Sequence, residues 1–94
     1  MFDAPLWRWQ ARADMWMFVS LPERASDEIR GLVGDLAGGF GSVPVTVRVG
    51  KTSWRTSIFP GGDGRYALPM KAAVRRAEHL ELGDNATLEL EVRI

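Results

Sequence analysis

The chain has 94 residues, 46% of them hydrophobic and 26% charged, with 12 Lys or Arg against 12 Asp or Glu. This length predicts one domain, residues 1–94, that buries roughly 60–65% of its unfolded surface. With no Cys and a single His, His79, a disulfide framework, a thiolate zinc site and a histidine metal cluster are excluded, and no metal or cofactor is expected.

Residues 6–11 alternate, Leu6, Arg8 and Gln10 against Trp7, Trp9 and Ala11, and predict a strand. Arg12-Ala13-Asp14 reads as a tight turn. Residues 15–20 predict a second strand, with Trp16 and Phe18 on one face and Met15, Met17 and Val19 on the other. Apolar residues on both faces mark a central strand or an interface. Leu21-Pro22 ends it. Ser26 is the expected N-cap of a helix, with Asp27 and Glu28 in the first turn near the positive helix end. Ile29, Leu32, Val33 and Leu36 form one apolar stripe, and Gly38-Gly39 stops the helix.

Val43, Val45, Val47 and Val49 then alternate with Pro44, Thr46 and Arg48, the cleanest strand signal in the chain. Gly50-Lys51 predicts a hairpin turn with glycine first. In residues 53–59, Trp54, Thr56 and Ile58 lie opposite Arg55, Ser57 and Phe59. Residues 60–64 are a loop by composition. Residues 65–67 form a short strand, and Pro69 suits the first turn of a second helix, where its missing N–H costs nothing. Met70, Ala73, Val74 and Ala77 make that helix's apolar stripe, with Lys71, Arg75 and Arg76 off it. Gly83-Asp84 turns the chain into an alternating strand over residues 86–92.

Read this way, the chain repeats itself: residues 1–50 and 51–94 each run strand, strand, Leu-Pro, helix, glycine turn, strand. One such unit cannot bury a helix stripe and a sheet face alone, and two can close on each other. Charge is uneven despite the neutral total. Residues 1–44 carry −2, residues 45–76 carry +6 and residues 77–94 carry −4. The neutral sum argues against long-range steering toward DNA, while the basic middle leaves room for a local anion site. No leader with a basic and an apolar region and no run of about 18 apolar residues is seen, so a soluble cytoplasmic protein without a membrane partner is expected.

Leu68-Pro69, Arg75, Leu82, Gly83-Asp84 and the strand to Val92 resemble the swapped-hairpin barrel of AbrB and MazE-type proteins. In that group two short chains make one barrel, and this chain looks like both halves joined. A resemblance across nearly the whole chain is to a small, uncharacterised, mainly bacterial domain family. It rests on Trp16-Met17-Phe18-Val19, Leu21-Pro22, Val45-Thr46-Val47, Trp54-Arg55-Thr56-Ser57, Pro60, Asp63-Gly64-Arg65-Tyr66, Leu68-Pro69, Lys71, Val74-Arg75 and Gly83-Asp84. The resemblance implies a double-split β-barrel of mainly β structure with two short helices, built from two ββαβ repeats. Members of that family are often fused to a YdeI/OmpD-associated domain, which is not expected here because the chain stops at Ile94. The resemblance implies no activity.

Catalysis needs a positioned acid, base or nucleophile. His79 beside Glu78 and Glu81 reads as a surface residue. Ser53, Thr56 and Ser57 lie on a strand with no His nearby in sequence, and Glu89 and Glu91 read as an exposed strand face. The loop at residues 60–65 lacks the Lys-Ser or Lys-Thr of a phosphate loop and precedes a strand rather than a helix. The candidate ligand-binding set is Trp54, Arg55, Lys71, Arg75 and Arg76: cations for a phosphate or carboxylate and an indole for a flat ligand. For Arg75 the favoured alternative is structural, a carboxylate partner such as Asp84. The aromatic residues are expected mainly in the core, as side chains fill a small barrel; if Trp7 and Trp9 are exposed, they mark a partner surface. The sequence therefore predicts a non-catalytic binding or interaction module, monomeric or homodimeric, with an unknown protein or small-molecule partner. The alternatives are a DNA-binding regulator of the AbrB or MazE kind, with nucleic acid a less favoured partner, and, last, an enzyme acting on a small anion at Arg55 and Lys71.

Overall fold

The computed structural model describes residues 2–8, 17–33, 41–61 and 64–93. Its elements are β1 (Phe2–Arg8), β2 (Met17–Ser20), α1 (Glu23–Val33), β3 (Val43–Val49), β4 (Thr52–Pro60), β5 (Tyr66–Pro69), α2 (Ala72–Ala77) and β6 (Asn85–Val92). The strands close into a six-stranded barrel in the order β1-β2-β5-β4-β3-β6, with every neighbouring pair antiparallel.

Alternation decides what lies inside. Val43, Val45 and Val47 on β3, Val19 on β2, Ile58 on β4, Leu68 on β5 and Leu88 on β6 are fully buried. These side chains fill the bore as one cluster, which also takes in Leu21, Ile29, Val33, Met70 and Val74 from the helices and their approaches. The hairpin of β3 and β4 forms as its pattern predicts: Val49 pairs with Thr52 around Gly50-Lys51, and Gly50 has a φ of 57°. Pro5 stands where β1 changes partner, from β6 over Phe2 to Pro5 to β2 over Leu6 to Arg8. A residue without an N–H is tolerated at such a break.

The helices meet opposite ends of the barrel. Ser26 is buried inside α1 and its Oγ accepts from the Tyr66 N–H at the start of β5. Arg30 donates to the Gly64 carbonyl and its guanidinium lies 5.7 Å from the Tyr66 ring centre. At the other end, Met70 N–H donates to the Met17 carbonyl, Arg75 donates to the Met70 carbonyl and to Met17 Sδ, and Thr52 Oγ1 donates to Glu78.

Several sequence expectations are corrected. Ser26 is not an N-cap: α1 begins at Glu23, and the Ser26 N–H already bonds to the Pro22 carbonyl. Its hydroxyl is taken by a strand 40 residues away, so Asp27 and Glu28 lie beyond the first turn. Pro69 is not in a helix but ends β5 opposite Phe18, with Met70 and Lys71 between it and α2. Pro22 directly precedes α1, so the two Leu-Pro steps are not in equivalent places. The α2 stripe reduces to Met70 and Val74, since Ala73 and Ala77 are exposed. In α1, Leu32 is 60% exposed, outside the core that Ile29 and Val33 join. The strands of residues 6–11 and 65–67 shift to β1 and β5 as bounded above. The turn at residues 12–14, Trp9, Met15, Trp16, Leu36 and Gly38-Gly39 lie outside the described residues.

Candidate functional site

The predicted ligand set is not gathered in one place. Trp54 and Arg55 are neighbours on β4 and so point to opposite sides of the wall. Trp54 faces inward against the core cluster, and its Nε1 is buried with no hydrogen-bond partner among the described residues. Arg55 faces outward and is exposed. Lys71 is exposed at the N-cap of α2 and makes no side-chain capping bond.

Arg75 and Arg76 occupy the last turn of α2, where cations oppose the negative helix end. They line a shallow hollow of about 420 Å³ with Ala72, His79, Leu80 and Glu81. His79 holds a φ of 54°, a left-handed conformation rare outside glycine. Arg75 ties α2 to the β2 and β5 ends through a carbonyl and a thioether. Asp84 accepts from the Glu81 N–H and closes the turn before β6.

The other candidates fall on the outer wall. Glu89 pairs with Arg48 at 2.6 Å, and Glu91 lies opposite Thr46. No group of three or more His, Cys, Asp or Glu that could hold a metal occurs among the described residues, and none of their helices is long and apolar enough to cross a membrane. A groove of about 370 Å³ runs between α1 and the ends of β1 and β6, lined by Phe2, Pro22, Ile29, Leu90 and Val92 and rimmed by Arg24 and Glu28.

A second outer surface is more distinctive. Ala4 and Leu6 point inward on β1, so Trp7 points out, 37% exposed, contrary to the core expectation for the aromatics. Trp7 is paired with Phe18, which is paired in turn with Pro69. The Trp7 and Phe18 rings stack at 5.0 Å, 27° apart. Phe18 is 8% exposed yet stands outside the core cluster. The Trp7 indole donates to Ser20 Oγ at 2.8 Å, which fixes the ring's orientation. In the next row, Ser20 pairs with Ala67 and Ala67 with Phe59, which is 45% exposed.

Sequence periodicity separated the faces of each strand but not which face was inner, and it missed this row for that reason. On β1 and β2 both faces carry apolar residues, so only the closed barrel decides. The available signal was the outward phase of Phe59, set by Ile58 on the cleaner β4 pattern.

Residues 2–90 match the family model of a domain of unknown function, DUF1905. No curated protein matches the chain.

Proposed function

The chain belongs to the DUF1905 family, and we propose that it is a non-catalytic binding module whose contact surface is the outward face of β1, β2, β5 and β4. The observation that carries this reading is the exposed pair Trp7 and Phe59 on a wall whose inner side is filled. Aromatic side chains supply large contact area at low conformational cost, and Trp7 is already held by Ser20 and Phe18. The filled bore supports contact from outside rather than enclosure of a ligand.

The test is a titration with single- and double-stranded oligonucleotides, acidic and apolar peptides and small anions, read by intrinsic fluorescence. The reading predicts a ligand whose affinity falls in Phe59→Ser and Trp7→Ser. Turnover of any substrate, abolished by a point substitution, would contradict it.

A second reading, a DNA-binding regulator of the AbrB or MazE kind, has support from the ring order. Exchanging β1, β2 and β3 with β4, β5 and β6 leaves that order unchanged, as expected if residues 1–50 and 51–94 are two joined ββαβ units. Such a regulator would bind duplex DNA with steep salt dependence; duplex binding that ignored salt would dismiss it.

A further inference from the structure

We infer that the outward face of β1, β2, β5 and β4 binds single-stranded nucleic acid, with unpaired bases stacking on Trp7 and Phe59 and phosphates meeting Arg55 and Lys71. This rests on the surface reading above and names its ligand.

Three observations carry it. First, the two exposed rings are separate platforms. Between them stand Phe18 and Pro69 in one row and Ser20 and Ala67 in the next. Trp7 and Phe59 are on β1 and β4, three strand spacings apart and so halfway round the ring, which is roughly 14 Å along the curved surface over β2 and β5. A single flat molecule does not cover both, whereas an extended strand offers a base to each. Every base has a π-face, so such stacking tolerates sequence.

Second, the strand surface that joins the two rings is free of negative charge. The outward positions of β2, β5 and β4 hold Phe18, Ser20, Ala67, Pro69, Ser53, Arg55, Ser57 and Phe59, with no carboxylate. Arg55 projects from β4 and Lys71 follows β5. The strand carboxylates Glu89 and Glu91 lie on β6, and Asp3, at the far end of β1, accepts from Thr87 Oγ1. Two cations beside aromatic platforms complement a phosphate backbone carrying unstacked bases.

Third, Trp7 is preorganised. Its indole N–H is satisfied by Ser20 and one side of the ring is supported by Phe18, so little side-chain freedom remains to be lost on binding. The wall also favours single strands over duplex. Bases in a duplex are stacked on each other and cannot lie on protein rings without being unpaired.

The experiment is fluorescence anisotropy of a labelled oligothymidylate of about twelve nucleotides and of a duplex of equal length, at about 50 mM and about 150 mM salt. The expected result is preference for the single strand, weakening with salt. Phe59→Ala and Trp7→Ala should each weaken binding roughly 5- to 150-fold, and Trp7→Phe, which keeps a π-face, should recover most of it. Arg55→Ala should lower the salt slope by about 0.7. Circular dichroism melts verify that each variant is folded, and Phe59→Ala, on the exposed row, keeps the test decisive if Trp7→Ala unfolds. No single-strand binding at low salt, or unchanged affinity in folded Phe59→Ala, would overturn the inference. If the protein ignores the single strand but binds a peptide through Phe59, the ligand is wrong and the surface stands. If single-strand binding ignores both rings and is lost in Arg76→Ala, the surface itself is wrong.

Discussion

On the outside of β3 and β6, Arg48 pairs with Glu89 and Thr46 lies opposite Glu91. On the outside of β1, β2, β5 and β4, Trp7 stacks on Phe18 and Phe59 stands exposed. The inner sides of these two walls are alike: Val45, Val47 and Leu88 behind the first, Val19, Ile58 and Leu68 behind the second, all fully buried. The requirement to fill the bore therefore accounts for the inner residues of both walls. It does not account for a tryptophan, held by a serine, on the outer side of one. That difference between equal interiors and unequal exteriors is the observation behind the binding role proposed for the aromatic wall.

The largest effect should come from the shared interior. Leu68→Ala and Leu88→Ala remove fully buried side chains from opposite walls, and each should cost about 2–5 kcal/mol in denaturant unfolding. A large effect in one and a negligible effect in the other would break the premise of one common core. Next comes Ser26→Ala, which orphans the Tyr66 N–H at the start of β5. The expected loss is about 1–3 kcal/mol, and Ser26→Thr, which keeps the hydroxyl, would separate the lost bond from altered packing. Gly50→Ala places a Cβ against the Glu78 carboxylate that accepts from Thr52, at a residue with φ of 57°. A loss of about 1–2 kcal/mol is expected from the left-handed conformation alone, with more if Glu78 must leave Thr52; an unchanged melt would show that α2 is not seated on the hairpin.

The smallest effects sharpen the contrast between the exteriors. Glu89→Gln should cost about 0.2–1 kcal/mol and lose its effect at high salt, as an exposed ion pair does. Phe59→Ser should stay within about 0.5 kcal/mol, since the ring is exposed on the outer wall. If Phe59→Ser were instead as costly as Leu68→Ala, the aromatic wall would be part of the folding core and its separate role would fall.

Much of the barrel was readable from local pattern. The bounds of β3 came directly from four valines alternating with polar residues and Pro44, and the turn at Gly50 from a glycine between two such runs. What was unreadable depended on distant partners. Ser26 looks like a cap because a serine before an acidic pair caps many helices, and only β5 reveals its true acceptor role. Pro69 fits the first turn of a helix and the end of a strand equally well, because both dispense with its N–H. Of the candidate site, Trp54 and Arg55 were legible as opposite faces of one strand, yet the expected ligand set joined them, and the barrel puts Trp54 inside and Arg55 outside. Trp7 was unreadable because residues 6–11 group it with Trp9 and Ala11 against Leu6, Arg8 and Gln10, while its phase follows from barrel closure.

The most direct measurement is an amide and indole NMR titration of the intact chain with the single-stranded oligothymidylate. The indole N–H of Trp7 lies on the outer wall and that of Trp54 lies buried inside, so one spectrum carries both the probe and its control. The account predicts that the Trp7 indole and the amides of Phe18, Ser20, Ala67 and Phe59 move together while the Trp54 indole and the β3–β6 wall stay still. Movement centred on Arg76 and His79, or on Glu89 and Glu91, with Trp7 unmoved, would contradict it.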